Sequence, residues 1–279
     1  MGQSLRRDFR WAANLGLMYT EWPLLERFQA CAEDGFEWAE CLFPYEAQAL
    51  DLAARVGDSG VKLVQINVPP GDWQAGDRGL AVDPTRESEF HRSIEIALAY
   101  ADVLDLQQMH VLAGTVPGLG WHKTAREGLY WDQYRKNLDW LCTQTRSLNL
   151  TWLIEPINRR DIPGYLLAYQ EDAHALLDEL NHPNLAVQMD LYHCQIMEGD
   201  LIRKLEHYLP QGRVGHIQIA GVPERHEPDW SELNLPRVLD ELRALGYQGA
   251  LGCEYRPRAG TRAGLGWVKA HGFSGTMAG

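Results

Sequence analysis

Apolar residues in this chain gather in short runs rich in branched and aromatic side chains. Each run gives way to a longer segment whose apolar positions recur every three or four residues. The runs predict strands at 10–15, 38–43, 62–67, 107–113, 150–155, 185–190, 214–219 and 250–255. The segments between them predict helices at 22–35, 46–60, 85–104, 129–148, 169–181, 200–209 and 230–246. Gly35, Gly60 and Gly246 each stand just past the last apolar residue of a helix and directly before a strand, where a left-handed cap is wanted. Eight alternations with no linker or composition break favour an α/β fold of a single closed (β/α)8 TIM barrel. A doubly wound sheet would want a glycine-rich phosphate loop after the first strand, where "NLGLMYTEWP" has only Gly16.

In such a barrel, chemistry sits where strands end and βα loops begin. The run "LTWLI" stops at Glu155, a charge that is costly at a buried strand exit unless something binds it. Asp190, Gln218 and Glu254 end the next three strands, at intervals of 35, 28 and 36 residues, each about one βα unit. Three carboxylates and an amide on one mouth are oxygen donors suited to Mg²⁺ or Mn²⁺. The competing reading makes each acid a cap or a salt-bridge partner in its own loop. His193, three residues past Asp190, can reach the same mouth from the first turn of a helix. Asn67, His110 and Glu40 also stand at strand ends, and alternation aims His216 the same way as Gln218, one layer deeper.

Arg159, Arg160, Arg225 and Arg256 follow these positions on three loops. Their grouping points to a negatively charged ligand, a carboxylate held by planar guanidinium groups; charge balance against Asp161, Glu224 and Glu227 would account for them equally without a ligand. The stretch 67–85, "NVPPGDWQAGDRGLAVDPT", is long for a βα loop and carries Trp73, which suggests a lid or binding loop. An ordered structural loop would also fit its composition.

Composition narrows the partners. The net charge of −12 repels a nucleic-acid backbone or an anionic membrane surface. No apolar run approaches the roughly 20 residues needed to span a bilayer. Five scattered cysteines without a C-x-x-C pair predict reduced thiols, and "MGQSLRRDFRW" lacks the apolar core of a signal peptide. A cytoplasmic protein is expected. Aromatic stretches such as "GLYWDQY" fit either a homo-oligomer contact or helix packing.

The motifs "LFPYE", "NVPPGDWQAGDRG", "IEPINRRDIPGY", "DLYHCQIMEGDL", "GHIQIAGVPERHEP" and "GCEYRP…GLGW" together resemble the hydroxypyruvate isomerase family of xylose-isomerase-like barrels. The resemblance covers residues 9–267 and leaves a lead-in at 1–8 and a tail at 268–279. It implies Glu155, Asp190, Gln218 and Glu254 around a divalent metal, with Glu155 and Glu254 as the acid/base pair. Substrate contacts are expected from His193, Arg159, Arg225, Arg256, Asn67 and His110. The implied reaction interconverts hydroxypyruvate and tartronate semialdehyde through an enediolate, His193 polarising a substrate oxygen and the arginines holding the carboxylate. Related ketose epimerases carry histidine at the position of Gln218 and glutamate at that of Asp161, so this chain departs from them. Isomerisation of a four-carbon 2-oxo-tetronate needs the same chemistry in a deeper pocket. A ketose 3-epimerase, a metal-dependent DNA-repair endonuclease and a non-enzymatic binding module compete with both isomerase readings.

Overall fold

A computed structural model describes residues 9–122 and 126–271, so the lead-in 1–8 and most of the expected tail lie outside the described residues. Eight strands form where alternation and apolar runs place them: β1 (Arg10–Asn14), β2 (Trp38–Cys41), β3 (Lys62–Asn67), β4 (Gln108–His110), β5 (Thr151–Ile154), β6 (Leu185–Asp190), β7 (Val214–Ile219) and β8 (Ala250–Cys253). They close in sequence order into one parallel barrel, β1 pairing with both β2 and β8.

The main helices are α1 (Leu24–Glu33), α2 (Ala49–Ser59), α3 (Glu87–Leu104), α4 (Leu129–Gln144) and α5 (Gln170–Leu180). After them come α6 (Leu191–Met197), α7 (Leu201–Tyr208) and α8 (Leu235–Ala244). Each turns an apolar stripe to the barrel: α4 buries Trp131, Tyr134, Leu138 and Leu141, spaced three or four apart. Gly60 ends α2 in the left-handed region at φ +70°, a conformation a side chain would oppose. The apolar core lies between this helix ring and the outer face of the strands.

The barrel interior is different. Branched aliphatic side chains usually fill such barrels. Here Asn14, Glu40, Gln65, Gln188, His216 and Gln218, none more than 2 % exposed, form a hydrogen-bonded column beneath the C-terminal mouth. Glu40 Oε1 accepts from Asn14 (2.8 Å) and Gln218 (2.7 Å), and its Oε2 lies 2.6 Å from His216 Nε2. Gln188 donates to Gln218 Oε1 and accepts from Gln65, both at 2.7 Å. Gly252 leaves room for this layer, since a Cβ there would come within 2.6 Å of the Glu40 carboxylate. Polar groups hydrogen-bonded in this way in a low-dielectric interior rigidify what they support, although Gln65 Oε1 has no partner among the described residues.

Loop 67–85 is anchored as well as functional in position. Arg86 binds Asp77 through two hydrogen bonds (2.7 and 2.8 Å) while Leu80, Ala81 and Val82 are buried. The loop leaves Trp73 42 % exposed, tilted against Phe43 and covered by the Arg78 guanidinium. At the C-terminal end, α9 (Thr261–Gly264) and α10 (Gly266–Ala270) extend the fold past the expected limit at 267, because Val268 is buried beside Trp267. All five cysteines are free and buried. No helix among the described residues is long and apolar enough to cross a membrane.

Candidate active site

A cavity of about 370 Å³ opens at the C-terminal mouth. Its wall includes Asn67, His110, Glu155, Asp161, His193, Arg225, Glu254 and Arg256, with Leu42, Phe43, Trp73 and Leu112 as apolar neighbours. Strand ends and βα loops thus converge as their spacing predicts.

Glu155 is 3 % exposed. Gln188 donates to its Oε2 at 3.0 Å, which ties the carboxylate to the polar column below. Its buried Oε1 has no hydrogen-bond partner among the described residues. A buried carboxylate oxygen left bare is costly, so this atom is poised for a ligand or a proton.

His193 is delivered by α6, whose first turn is capped when Asp190 Oδ1 accepts from the Tyr192 N–H (2.8 Å). Its Nδ1 lies 2.6 Å from Asn158 Nδ2. Asn158 Oδ1 accepts the Asp161 N–H at 2.8 Å, which fixes the amide so that its NH₂ faces the imidazole. Nδ1 therefore accepts, and the neutral ring carries its proton on Nε2, 3.5 Å from Asp190 and 3.7 Å from Glu155. Burial, with the Arg225 charge, holds the imidazole well below its usual pKa and so neutral. His193 is an N–H donor aimed at the cavity. His110 is likewise neutral, pushed down to about 3 by burial.

Arg225 supplies the positive charge. Its Nη2 lies 3.1 Å from Glu254 and 3.4 Å from Asp190, and its guanidinium covers the Tyr192 ring. Its backbone sits at φ +59°, a left-handed turn that a non-glycine residue adopts at a cost of about 1–2 kcal/mol. One cation facing three buried acids leaves them undercompensated. Burial raises Glu254 to about 8 and Asp190 to about 6; Glu155 is raised well above the carboxylate range by burial and the charges of Glu254 and Asp190. Perturbations of this size in a cavity are typical of acid/base chemistry.

Two expected site residues are corrected. Arg159 does not line the cavity. Its guanidinium donates to the carbonyls of Tyr165, Leu166, Gly120 and Trp121 at 2.8–3.0 Å, because loop carbonyls with no strand partner converge there. Arg159→Met is therefore expected to cost about 2–4 kcal/mol of stability, read from denaturant melts, while the KM of the folded fraction stays unchanged. Gln218 lies in the column beneath the cavity, its Oε1 taken by Gln188 and its Nε2 by Glu40. Arg256 lines the cavity as an exposed side chain.

Glu155, Asp190 and His193 each place one ligand-type atom within 4.8 Å of the others. The protonated Nε2 turns His193 from ligand to donor. Glu155 and Asp190 supply oxygen donors of the kind a hard divalent cation takes, and Glu155 Oε1 is bare. Two residues of the site, Gln188 and Asn158, are not among those the sequence pattern singles out. Gln188 stands two residues before Asp190 and so shares its inward parity, a usable signal; Asn158 carries none beyond its place in "EPINRR". Arg27, from α1, also lines the cavity, with Nε and Nη1 bound to the carbonyls of Trp22 and Leu15.

A closed parallel barrel with two buried carboxylates, a guanidinium and a neutral imidazole around one mouth cavity defines a barrel enzyme equipped for proton transfer. Residues 28–271 match the model of the xylose isomerase-like TIM barrel family. The chain is 49 % identical to the 2-oxo-tetronate isomerase of Cupriavidus necator over 94 % of its own length and 98 % of that protein. Against the hydroxypyruvate isomerase of Escherichia coli it is 34 % identical, over 93 % and 98 % of the two chains. It also superposes on the crystal structure of AP endonuclease, family 2 from Brucella melitensis with a TM-score of 0.87 and 42 % identity, covering 94 % and 99 %. The chain belongs to the xylose isomerase-like TIM barrel family and is an isomerase.

Proposed function

We propose that the chain moves a carbonyl between adjacent carbons of a small hydroxy-oxo acid, with 2-oxo-tetronate as the preferred substrate and hydroxypyruvate as the three-carbon competitor. Hydroxypyruvate comes first on sequence motifs alone. The four-carbon acid moves ahead because the 49 % identical relative is named for it. The observation that carries the reading is the pair Glu155 and Glu254, both buried and both walls of the cavity that Arg225 enters.

The chemistry follows from that pair. The carbon next to the carbonyl loses a proton to one carboxylate, the electrons form an enediolate, and a proton returns to the former carbonyl carbon while the hydroxyl proton passes from the oxygen that becomes the carbonyl to the one that becomes the hydroxyl. His193 Nε2–H donates to a substrate oxygen as negative charge builds there. Arg225 and Arg256 hold the substrate carboxylate. Glu155, Asp190 and Glu254 would hold Mg²⁺ or Mn²⁺, which when bound supplies Lewis-acid polarisation of the substrate oxygens. A net charge of −12 works against a nucleic-acid substrate.

Proton NMR of each acid in D₂O with the purified protein tests this. The expected result is 3-oxo-tetronate from 2-oxo-tetronate, with deuterium at the newly protonated carbon. Product from hydroxypyruvate alone reverses the substrate order, and neither product nor exchange from either acid removes the reading.

A further inference from the structure

The cavity wall is chemically divided. Arg225 and Arg256 come from the loops after β7 and β8, while the β3 and β4 ends contribute Asn67 and His110, which are uncharged. Asn67 and His110 are register partners, so they stand side by side on adjacent strands. His110 is 1 % exposed, and neither of its ring nitrogens has a hydrogen-bond partner among the described residues. Its Nδ1 comes to 3.5 Å from Glu155 Oε2 without making that bond. The Asn67 side-chain amide, 5 % exposed, also makes no hydrogen bond among the described residues, although its backbone carbonyl accepts from Tyr45.

A buried imidazole with both nitrogens bare is costly in itself and becomes favourable once a ligand meets it, and the Asn67 amide beside it faces the same cavity. A neutral imidazole offers one donor and one acceptor, and an amide offers both, the pattern that suits a hydroxyl. A carboxylate suits the opposite, guanidinium side.

We infer that His110, with Asn67, reads the terminal hydroxyl of a four-carbon substrate and is the residue that selects it over the three-carbon acid. This inference rests on the proposed isomerisation. It orients the substrate across the mouth, with C1 at Arg225 and Arg256, C2 and C3 between the two glutamates, and the C4 hydroxyl at His110. Because Glu155 is the glutamate beside His110 and Glu254 the one beside Arg225, the orientation also gives each a carbon: Glu155 takes the proton from C3 and Glu254 serves C2.

The test compares both acids on wild type and on His110→Leu, so the ratio of the two rates is independent of how much variant is folded. Expected for 2-oxo-tetronate is a loss in kcat/KM of about 100-fold, carried mainly by KM, because a site built around a hydroxyl loses it selectively. Hydroxypyruvate has no fourth carbon, so whatever it loses through Glu155 beside His110 is at least about tenfold smaller than the loss on 2-oxo-tetronate. His110→Gln, which keeps a donor and an acceptor, recovers at least about tenfold of the loss. Parallel losses on both acids, or no loss on the four-carbon one, overturn the assignment of His110 while leaving the isomerase reading intact. A wild type that turns over hydroxypyruvate and not 2-oxo-tetronate overturns both the assignment and the substrate order.

Discussion

Glu155→Gln and Glu254→Gln each lower kcat by about 1000-fold or more, the upper part of the range for lost acid/base catalysis. Each also raises the melting temperature at pH 8, by roughly 4 °C. The two effects have one cause. Burial lets the folded Glu254 keep its proton up to about pH 8, whereas a carboxyl in the unfolded chain releases it near 4.5. Between those values the unfolded state binds fewer protons than the folded one, so wild-type stability falls as pH rises. Glutamine has no proton to lose and removes one charge from a crowded set, so the variants lose part of that slope. At pH 4 the difference in melting temperature disappears. Such a trade of stability for function marks groups held in place for chemistry. A purely structural glutamate would give the opposite sign, and thermal melts at pH 4 and 8 distinguish the two.

Arg225→Met has the larger effect on stability. Three buried acids then lose the cation that faces them, and removing one partner of a buried ion pair costs about 3–5 kcal/mol. The loss depends on pH in a definite direction. Without the guanidinium the folded-state pKa values of Glu155, Asp190 and Glu254 climb further above their unfolded values, so the deficit is greatest above pH 8. It shrinks toward pH 4, where the acids are protonated in the folded protein with or without the guanidinium. Urea melts across that range check it; a deficit that grows on acidification contradicts the ion-pair account. Activity is expected to fall as well, because the half-buried Arg225 guanidinium faces the cavity where a substrate carboxylate would bind.

The fold is legible in the sequence because each strand is a short apolar run and each helix a 3.6-residue stripe, with glycines such as Gly60 at the joints. The mouth of the site is legible for the same reason: the last residue of each run has to face it, which places Glu155, Asp190 and Glu254. What position in a run does not reveal is the partner. Gln218 ends its strand as expected, yet it turns to Glu40, a contact 178 residues away in sequence. Arg159 stands four residues past Glu155 but is captured by carbonyls of loops whose path depends on the whole fold. The role of Arg225 hangs on a left-handed turn that its residue type does not advertise. The polar column is half legible: alternation aims His216 inward, and the same parity beside Asp190 aims Gln188, but nothing local tells that the two belong to one network.

The division of labour between the two glutamates decides how the substrate lies across the barrel, and solvent-exchange NMR on the glutamine variants reads it without intermediary steps. Glu254→Gln, incubated with 2-oxo-tetronate in D₂O, should form no product yet still wash deuterium into C3 of the remaining substrate, because Glu155 continues to remove and return that proton. Glu155→Gln should do neither. Exchange at C3 that survives in Glu155→Gln and vanishes in Glu254→Gln would contradict the assignment of Glu155 to C3, and with it the orientation of the substrate across the barrel mouth.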